Sequence, residues 1–314
     1  MNPNNSFKKI TVPILCLLCF ALSGSFAIAA GLDRVDVVDT IQRFKVGHEP
    51  LSVCFDGANI WTANNASHSV TKLRASDGAK LGTFRVGSYP YSVIYDGTNI
   101  WVSGNNTLTE LLASDGTVLG YYHIQGAAGL AFDGENVWVA DTGRETLTKM
   151  RASDGTIVDV YDVGGYPIGL AYDGTNIWAT NGDLATVTKV LASDGTIIGT
   201  YPVGLGPRSI LFDGENIWIS NEYSGSLSKL RASDGTTLGT FGVGEYPTGL
   251  AYDGSYIWVG LGNSEEVVRV RPSDGTTVRT VFVGNTPFGL AFDGSSIWAA
   301  EFSGNRVAKL SAGQ

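Results

Sequence analysis

Gly249-Leu250-Ala251-Tyr252-Asp253-Gly254-Ser255-Tyr256-Ile257-Trp258 is the stretch that decides the fold. A short run of small and apolar residues meets an Asp-Gly pair, and a second apolar run opens on tryptophan. Asp and Gly both tolerate positive φ, so the pair suits a tight hairpin between two strands. The same phrase returns forty residues later, ending at Trp298. All seven tryptophans occupy this position, at 61, 101, 138, 178, 218, 258 and 298, each five residues after an Asp-Gly pair. Their spacing is 40 residues except for 37 between Trp101 and Trp138. Such a period is the mark of a repeat architecture.

Two further turns punctuate each unit. Ser-Asp-Gly recurs from Ser76, Ser114, Ser153, Ser193, Ser233 and Ser273, and Val-Gly-x-x-Pro precedes most units, as at Val243 to Pro247. Between them lie four segments of strand composition, which in one unit are 248–252, 256–260, 266–271 and 276–283. β-branched and aromatic residues fill them while Gly, Asp and Ser crowd the joins. No segment keeps a helical period. Four antiparallel strands per forty residues predict an all-β, seven-bladed β-propeller. The small and apolar first strand fits an innermost strand buried between neighbouring blades, and the tryptophan supplies a large flat packing surface.

The two termini settle how the ring closes. Seven tryptophans are followed by only six Ser-Asp-Gly turns, and the last unit stops after its third strand at 309–312. The missing fourth strand is at the start: Thr40 to Gly47 aligns with Thr237 to Gly244. The N-terminal strand is therefore expected to complete blade seven, leaving no open blade edge.

The pattern Gly-Leu-Ala-Tyr/Phe-Asp-Gly-x-x-Ile-Trp, as at Gly249 to Trp258, resembles the bacterial YVTN-type or YncE-like propellers and the related streptogramin-lyase-like and NHL-type propellers. The likeness runs from 40 to 312. It implies the propeller fold; those groups include binding proteins and enzymes. For the streptogramin-lyase-like branch it also implies a metal, with catalytic histidine and acidic residues on the upper face of later blades. The histidines here are His48, His68 and His123, and blades four to seven hold none. No residue of this chain matches that catalytic site.

Lys8-Lys9, the apolar run Ile10 to Ala21 and Ala27-Ile28-Ala29 read as a signal peptide over residues 1–29, with residues 30–314 as one propeller domain. A retained membrane anchor is the alternative, but the run is short for a span. The reading predicts export to the periplasm or beyond. Losing Lys8 and Lys9 takes the formal charge from −9 to −11, and such an acidic chain is ill suited to nucleic acid. Of three cysteines only Cys54 then remains, which excludes an internal disulfide. Other units carry Ile94, Ala131 or Leu211 at its position, so Cys54 reads as a small core residue.

Turns alternate between the two faces of such a disc. The Asp-Gly and Ser-Asp-Gly turns share one face and scarcely vary. The Val-Gly-x-x-Pro connections and second-to-third-strand loops share the other, and nearly all variation lies there. That face is acidic and aromatic. Its candidate ligand-binding residues are Arg208, Glu222, Tyr223, Glu245, Tyr246, Glu301, Phe288, Tyr166 and Asp141. They read either as a funnel for a cationic, sugar-like or peptide ligand, or as solvated loop charge with tyrosines packed between blades. Arg208 stands out, because other units place Leu51, Tyr91, Ile168, Thr248 or Phe288 there. It suits either a carboxylate or phosphate ligand or an ion pair with a loop acid.

Two residues are missing between Trp101 and Ser114, one more between Asp115 and Asp133, and Ile124 to Ala128 replaces Val-Gly-x-x-Pro. This marks either a notch at blades two and three that admits a ligand or a simple deletion. The Asp-Gly pairs read as hairpin chemistry, not metal sites, since each offers one carboxylate. Lys72, Lys149, Lys189, Lys229, Arg269 and Lys309 share one third-strand position, with Glu110 the exception. The modest expectation is a recurrent surface ion pair. There is no P-loop, dinucleotide motif or Cys/His metal cluster, so the sequence predicts no catalytic set, metal or cofactor. It points to a monomeric binding scaffold for a protein, peptide or glycan. The alternatives are a metal-dependent lyase or hydrolase and a propeller lectin.

Overall fold

The computed structural model describes residues 41–313. Twenty-eight strands form seven four-stranded antiparallel sheets, and no helix occurs among the described residues. The unit that opened the reading has strands Pro247–Tyr252, Ile257–Leu261, Glu266–Val270 and Thr277–Phe282, ordered from the channel outward. These bounds lie within one or two residues of those expected. Closure is also as expected: Gln42–Lys45 pairs antiparallel with Arg306–Ser311, with Gln42 opposite Lys309 and Lys45 opposite Arg306. The signal-peptide reading of residues 1–29 lies outside the described residues.

Small residues on the innermost strands follow from backbone crowding. A Cβ at Gly249 would overlap the carbonyl oxygen of Phe288 in the next blade, and one at Gly169 would overlap that of Arg208. Gly129 and Gly289 meet their neighbours in the same way. Glycine lets consecutive inner strands converge on the channel.

The core is layered between blades. One layer joins Val53, Ile60, Leu73 and Ala75 of blade one to Trp298, Ala300 and Val307 of blade seven, with Phe44 packed against it. Every tryptophan is fully buried. A buried indole N–H needs an acceptor, and the Asp-Gly aspartate supplies it. Oδ2 of Asp253 accepts from Trp258 Nε1 at 2.7 Å, while Oδ1 accepts the backbone N–H groups of Ser255 and Tyr256 at 2.8 and 2.7 Å. The aspartate therefore joins turn to core, which corrects the reading of these pairs as hairpin chemistry alone. For Asp56, Asp133 and Asp293 burial pushes the carboxyl upward, but the indole and backbone donors outweigh it and hold it below the ordinary value.

The third-strand lysines are also corrected. Among the described residues this position makes no recurrent surface ion pair: only Lys309 and Arg269 approach a carboxylate, those of Asp293 and Asp253, each at 3.9 Å and largely buried. Lys72 is buried, lies 5.0 Å from the Trp61 ring centroid, and donates through Nζ to the carbonyls of Ala113 and Ser114 in the next blade at 2.7 and 2.9 Å. Lys149, Lys189, Lys229 and Lys309 make the corresponding bond to Ala192, Ala232, Pro272 and Ala75. An aromatic ring completes the clasp. Phe84 lies on Trp61 of its own blade and covers Gly116 in the Ser-Asp-Gly turn of the next. That glycine has φ +80°, and a Cβ there would overlap the ring. Tyr122, Tyr161, Tyr201, Phe241 and Phe44 sit likewise over Gly155, Gly195, Gly235, Gly275 and Gly78. The Ser-Asp-Gly turn is the receptor for the preceding blade.

Two interfaces depart from the clasp. Blade seven has no Ser-Asp-Gly turn, and blade six correspondingly carries Val281 in place of the ring, with Arg279 Nη1 3.4 Å from the Ser311 carbonyl. Between blades two and three Glu110 replaces lysine. It accepts from Asn99 Nδ2 and the Tyr122 hydroxyl, each at 2.8 Å. Burial pushes the Glu110 carboxyl upward, and these donors only partly offset it.

Candidate functional site

In six of the seven blades the residue after the connection's proline faces the mouth of the channel. Leu51, Tyr91, Ile168, Arg208, Thr248 and Phe288 all line it. Apolar or neutral residues fill this ring apart from Arg208, second residue of Pro207–Phe212. Its guanidinium donates through Nη1 to Glu222 Oε2 at 2.7 Å and lies 4.9 Å from the Phe288 ring centroid. Phe288 is in turn braced by Phe302 at 5.2 Å. The Arg208 side chain is 22% exposed and that of Glu222 only 6%, so the ion pair reaches solvent mainly through the arginine. Burial works against the charged arginine, but Tyr91 and Glu222 outweigh it and hold its pKa above the ordinary value.

Tyrosines surround the pair. The Tyr246 phenol is pushed up to about 12, first by its hydrogen bond to Glu222 and then by burial. Burial pushes Tyr91 up as well. Above them opens a cleft of about 460 Å³, lined by Tyr89, Tyr91, Tyr166, Arg208, Glu222 and Tyr223. Tyr223 is 74% exposed, Tyr89 53% and Tyr166 44%. Asn65, Asn105 and Asp183 contribute polar groups to the same cleft. Tyr89 is held from outside: its N–H donates to His68 Nδ1 at 2.9 Å, and its ring meets the imidazole edge-on at 4.6 Å.

The shortened region shapes this space. The second-to-third-strand turn of blade two is only Asn105-Asn106, between Asn99–Gly104 and Thr107–Leu112. Gly126, Ala127 and Ala128 stand where other blades place the connection and its proline, and all three line the cleft. The cleft therefore lies over blades one to five.

Of the nine candidates, the structure brings Arg208, Glu222, Tyr223 and Tyr166 to the cleft and places Tyr246 and Phe288 against the ion pair. Glu245 lies beside them in an adjoining hollow with Tyr223, Tyr246 and Asn263. Two candidates stand apart. Glu301 ends strand Ser296–Glu301 and is fully buried, not a loop acid. Arg43 Nε reaches its Oε1 at 2.8 Å and Arg306 Nε its Oε2 at 3.2 Å. It ties the closing strand to blade seven. Asp141 ends strand Asn136–Asp141 and is buried too, accepting the Arg144 N–H at 3.0 Å, and burial pushes its carboxyl upward. The reading of both as exposed loop acids is corrected: each occupies the strand end where Asn64, Asn181 and Asn221 are buried in other blades. Tyr89, Asn65 and Asn105 were not among the candidates, although the two-residue deletion pointed to the turn that holds Asn105.

Among the described residues no group of three or more His, Cys, Asp and Glu side chains is arranged to hold a metal. No described helix is long and apolar enough to cross a membrane. Cys54 is half-buried beside the layer around Trp61 and Val93, and burial pushes its thiol far above the ordinary range. It is a packing residue and a poor nucleophile.

No family model matches this chain, and no curated protein does. Among solved structures it is similar to streptogramin B lyase, at 19% identity and a TM-score of 0.74 over 87% of this chain and 97% of that one. It is also similar to hydrazine synthase of Kuenenia stuttgartiensis, at 16% identity and 0.75 over 84% and 96%. At these identities the likeness is one of fold, the propeller.

Proposed function

We propose that this chain is an exported binding scaffold that holds its ligand in the cleft over blades one to five. One observation carries the reading: three exposed tyrosines converge on a fixed Arg208–Glu222 pair, while the residues repeated from blade to blade are used up in packing. Loops on a rigid scaffold commonly host function, and a cleft of this size suits a small ligand or a short segment of a larger one. In this reading the protein acts as a monomer outside the cytoplasm, and the cleft residues bind without turnover. A lyase or hydrolase has the fold likeness to streptogramin B lyase behind it, but no matching histidine in blades four to seven.

The test is a thermal-shift screen of the full chain and its Tyr166→Ala and Tyr223→Ala variants against peptides, glycans and divalent metals. A compound that binds the native state raises the melting temperature. Support is a shift in the wild type that is lost in the variants. An equal shift in all three places binding elsewhere, and conversion of the compound to product removes the non-catalytic reading.

A further inference from the structure

We infer that the cleft is built for an uncharged sugar, a short oligosaccharide or the end of a glycan chain, a step that rests on the binding reading above. The charge balance of its floor carries the inference. Arg208 already has its counter-ion, Glu222, within the site at 2.7 Å. An anionic ligand would have to compete with Glu222 for the arginine, and a cationic one would meet Arg208 on the floor beside the carboxylate it needs, with only the exposed Asp183 of the wall to pair with. Glu222 is almost sealed from solvent, so breaking the pair would strand a buried charge, which is strongly unfavourable. A vicinal diol has no such conflict. One hydroxyl can accept from a guanidinium N–H not spent on Glu222, leaving the ion pair intact, while its neighbour donates to a wall group such as the Asp183 carboxylate.

The walls suit the same chemistry. A pyranose ring presents an apolar C–H face and a polar hydroxyl edge. Tyr89, Tyr166 and Tyr223 offer exposed ring faces for the first, and Asn65, Asn105 and Asp183 supply groups for the second. Tyrosine serves well here because it adds large contact area and a polar tip. Phe288, itself packed on Phe302, braces the guanidinium, so the arginine is set before the ligand arrives. The site occurs once in the ring, because Arg208 and the shortened turn of blade two each occur once. It therefore differs from a lectin with one sugar in every blade.

The experiment uses the full chain on immobilised neutral hexose and N-acetylhexosamine oligosaccharides, with sulfated glycans, uronic-acid glycans and lysine-rich peptides alongside. Hits are titrated by calorimetry against wild type, Tyr223→Ala, Tyr166→Ala and the remote control Tyr121→Ala, whose ring is exposed on an outer strand. The expected result is a neutral glycan bound at one site per chain. Its affinity should fall about tenfold in each cleft variant, as for a lost aromatic platform, and hold in the control. Capture of lysine-rich peptides or acidic glycans instead, sensitive to the cleft tyrosines, overturns the sugar but leaves the cleft as the site. Glycan binding unchanged in both cleft variants overturns the site. No binding by any neutral glycan overturns the inference.

Discussion

Lys309 Nζ lies 2.6 Å from the carbonyl oxygen of Ala75, joining the last blade to the first across 234 residues of chain. The same junction holds Phe44, whose ring lies 5.4 Å from that of Trp298 and covers Gly78. Two separate contacts thus depend on the short strand Gln42–Lys45 and its partner. Phe44→Ala should cost about 3 kcal/mol, the low end of the range for a large aromatic because the ring is half-buried. Urea denaturation would measure it. Deleting residues 31–46 should go further, leaving the edge of blade seven unpaired and promoting unfolding or association. A deletion that remains monomeric with an unchanged melting temperature would contradict this closure.

Acid should attack the tryptophan turns. The Asp56, Asp133 and Asp293 carboxyls lie below their ordinary value in the folded chain because bonded donors outweigh burial. A depressed folded pKa contributes stability that is complete above the unfolded value of about 4 and is lost as pH falls through the folded one. Melting temperature should therefore drop steeply below about pH 4. Asp133→Asn should flatten that dependence while lowering stability at neutral pH.

Glu110 works in the opposite sense. Its folded pKa is raised by burial, so folding loses stability as pH rises from the unfolded value of about 4.3 through the folded one. Glu110→Gln should remove that loss and stabilise the protein at pH 7. The amide also offers a donor to Asn99 Oδ1, which is buried without a partner. Glu110→Lys tests the clasp itself. If the lysine reaches the blade-three turn as Lys149 reaches Ala192, the melting temperature should rise above that of wild type.

Within the cleft, Glu222→Gln should destabilise by about 1–3 kcal/mol, because it leaves Arg208 charged and poorly paired. Arg208→Met combined with Glu222→Gln should recover much of that loss. A double-mutant cycle in urea measures the coupling. A coupling near zero would mean that the pair is not held as described.

The fold was legible almost entirely, because turn chemistry and tryptophan spacing repeat seven times and the termini align with each other. Arg208 was legible as a charge where other units have none. The lysine clasps were not, since their partners are main-chain carbonyls one blade away, and a carbonyl leaves no mark in the sequence. Glu301 was misread for a related reason. An acid beside a loop resembles a surface group until Arg43, 258 residues earlier, is brought against it. The cleft needs loops from blades one to five together, and no single stretch announces it.

Because each clasp reaches forward, a blade's sequence is written partly for its successor. Val281 and Arg279 make sense only because blade seven lacks the turn that a ring would cover. The unit that gene duplication can copy without harm is therefore an interface, running from one blade's lysine and ring to the next blade's turn, not a sheet. An extra blade would be accepted wherever both halves of that handshake are present, and refused between blades six and seven and between blades two and three, where Glu110 stands in for the lysine.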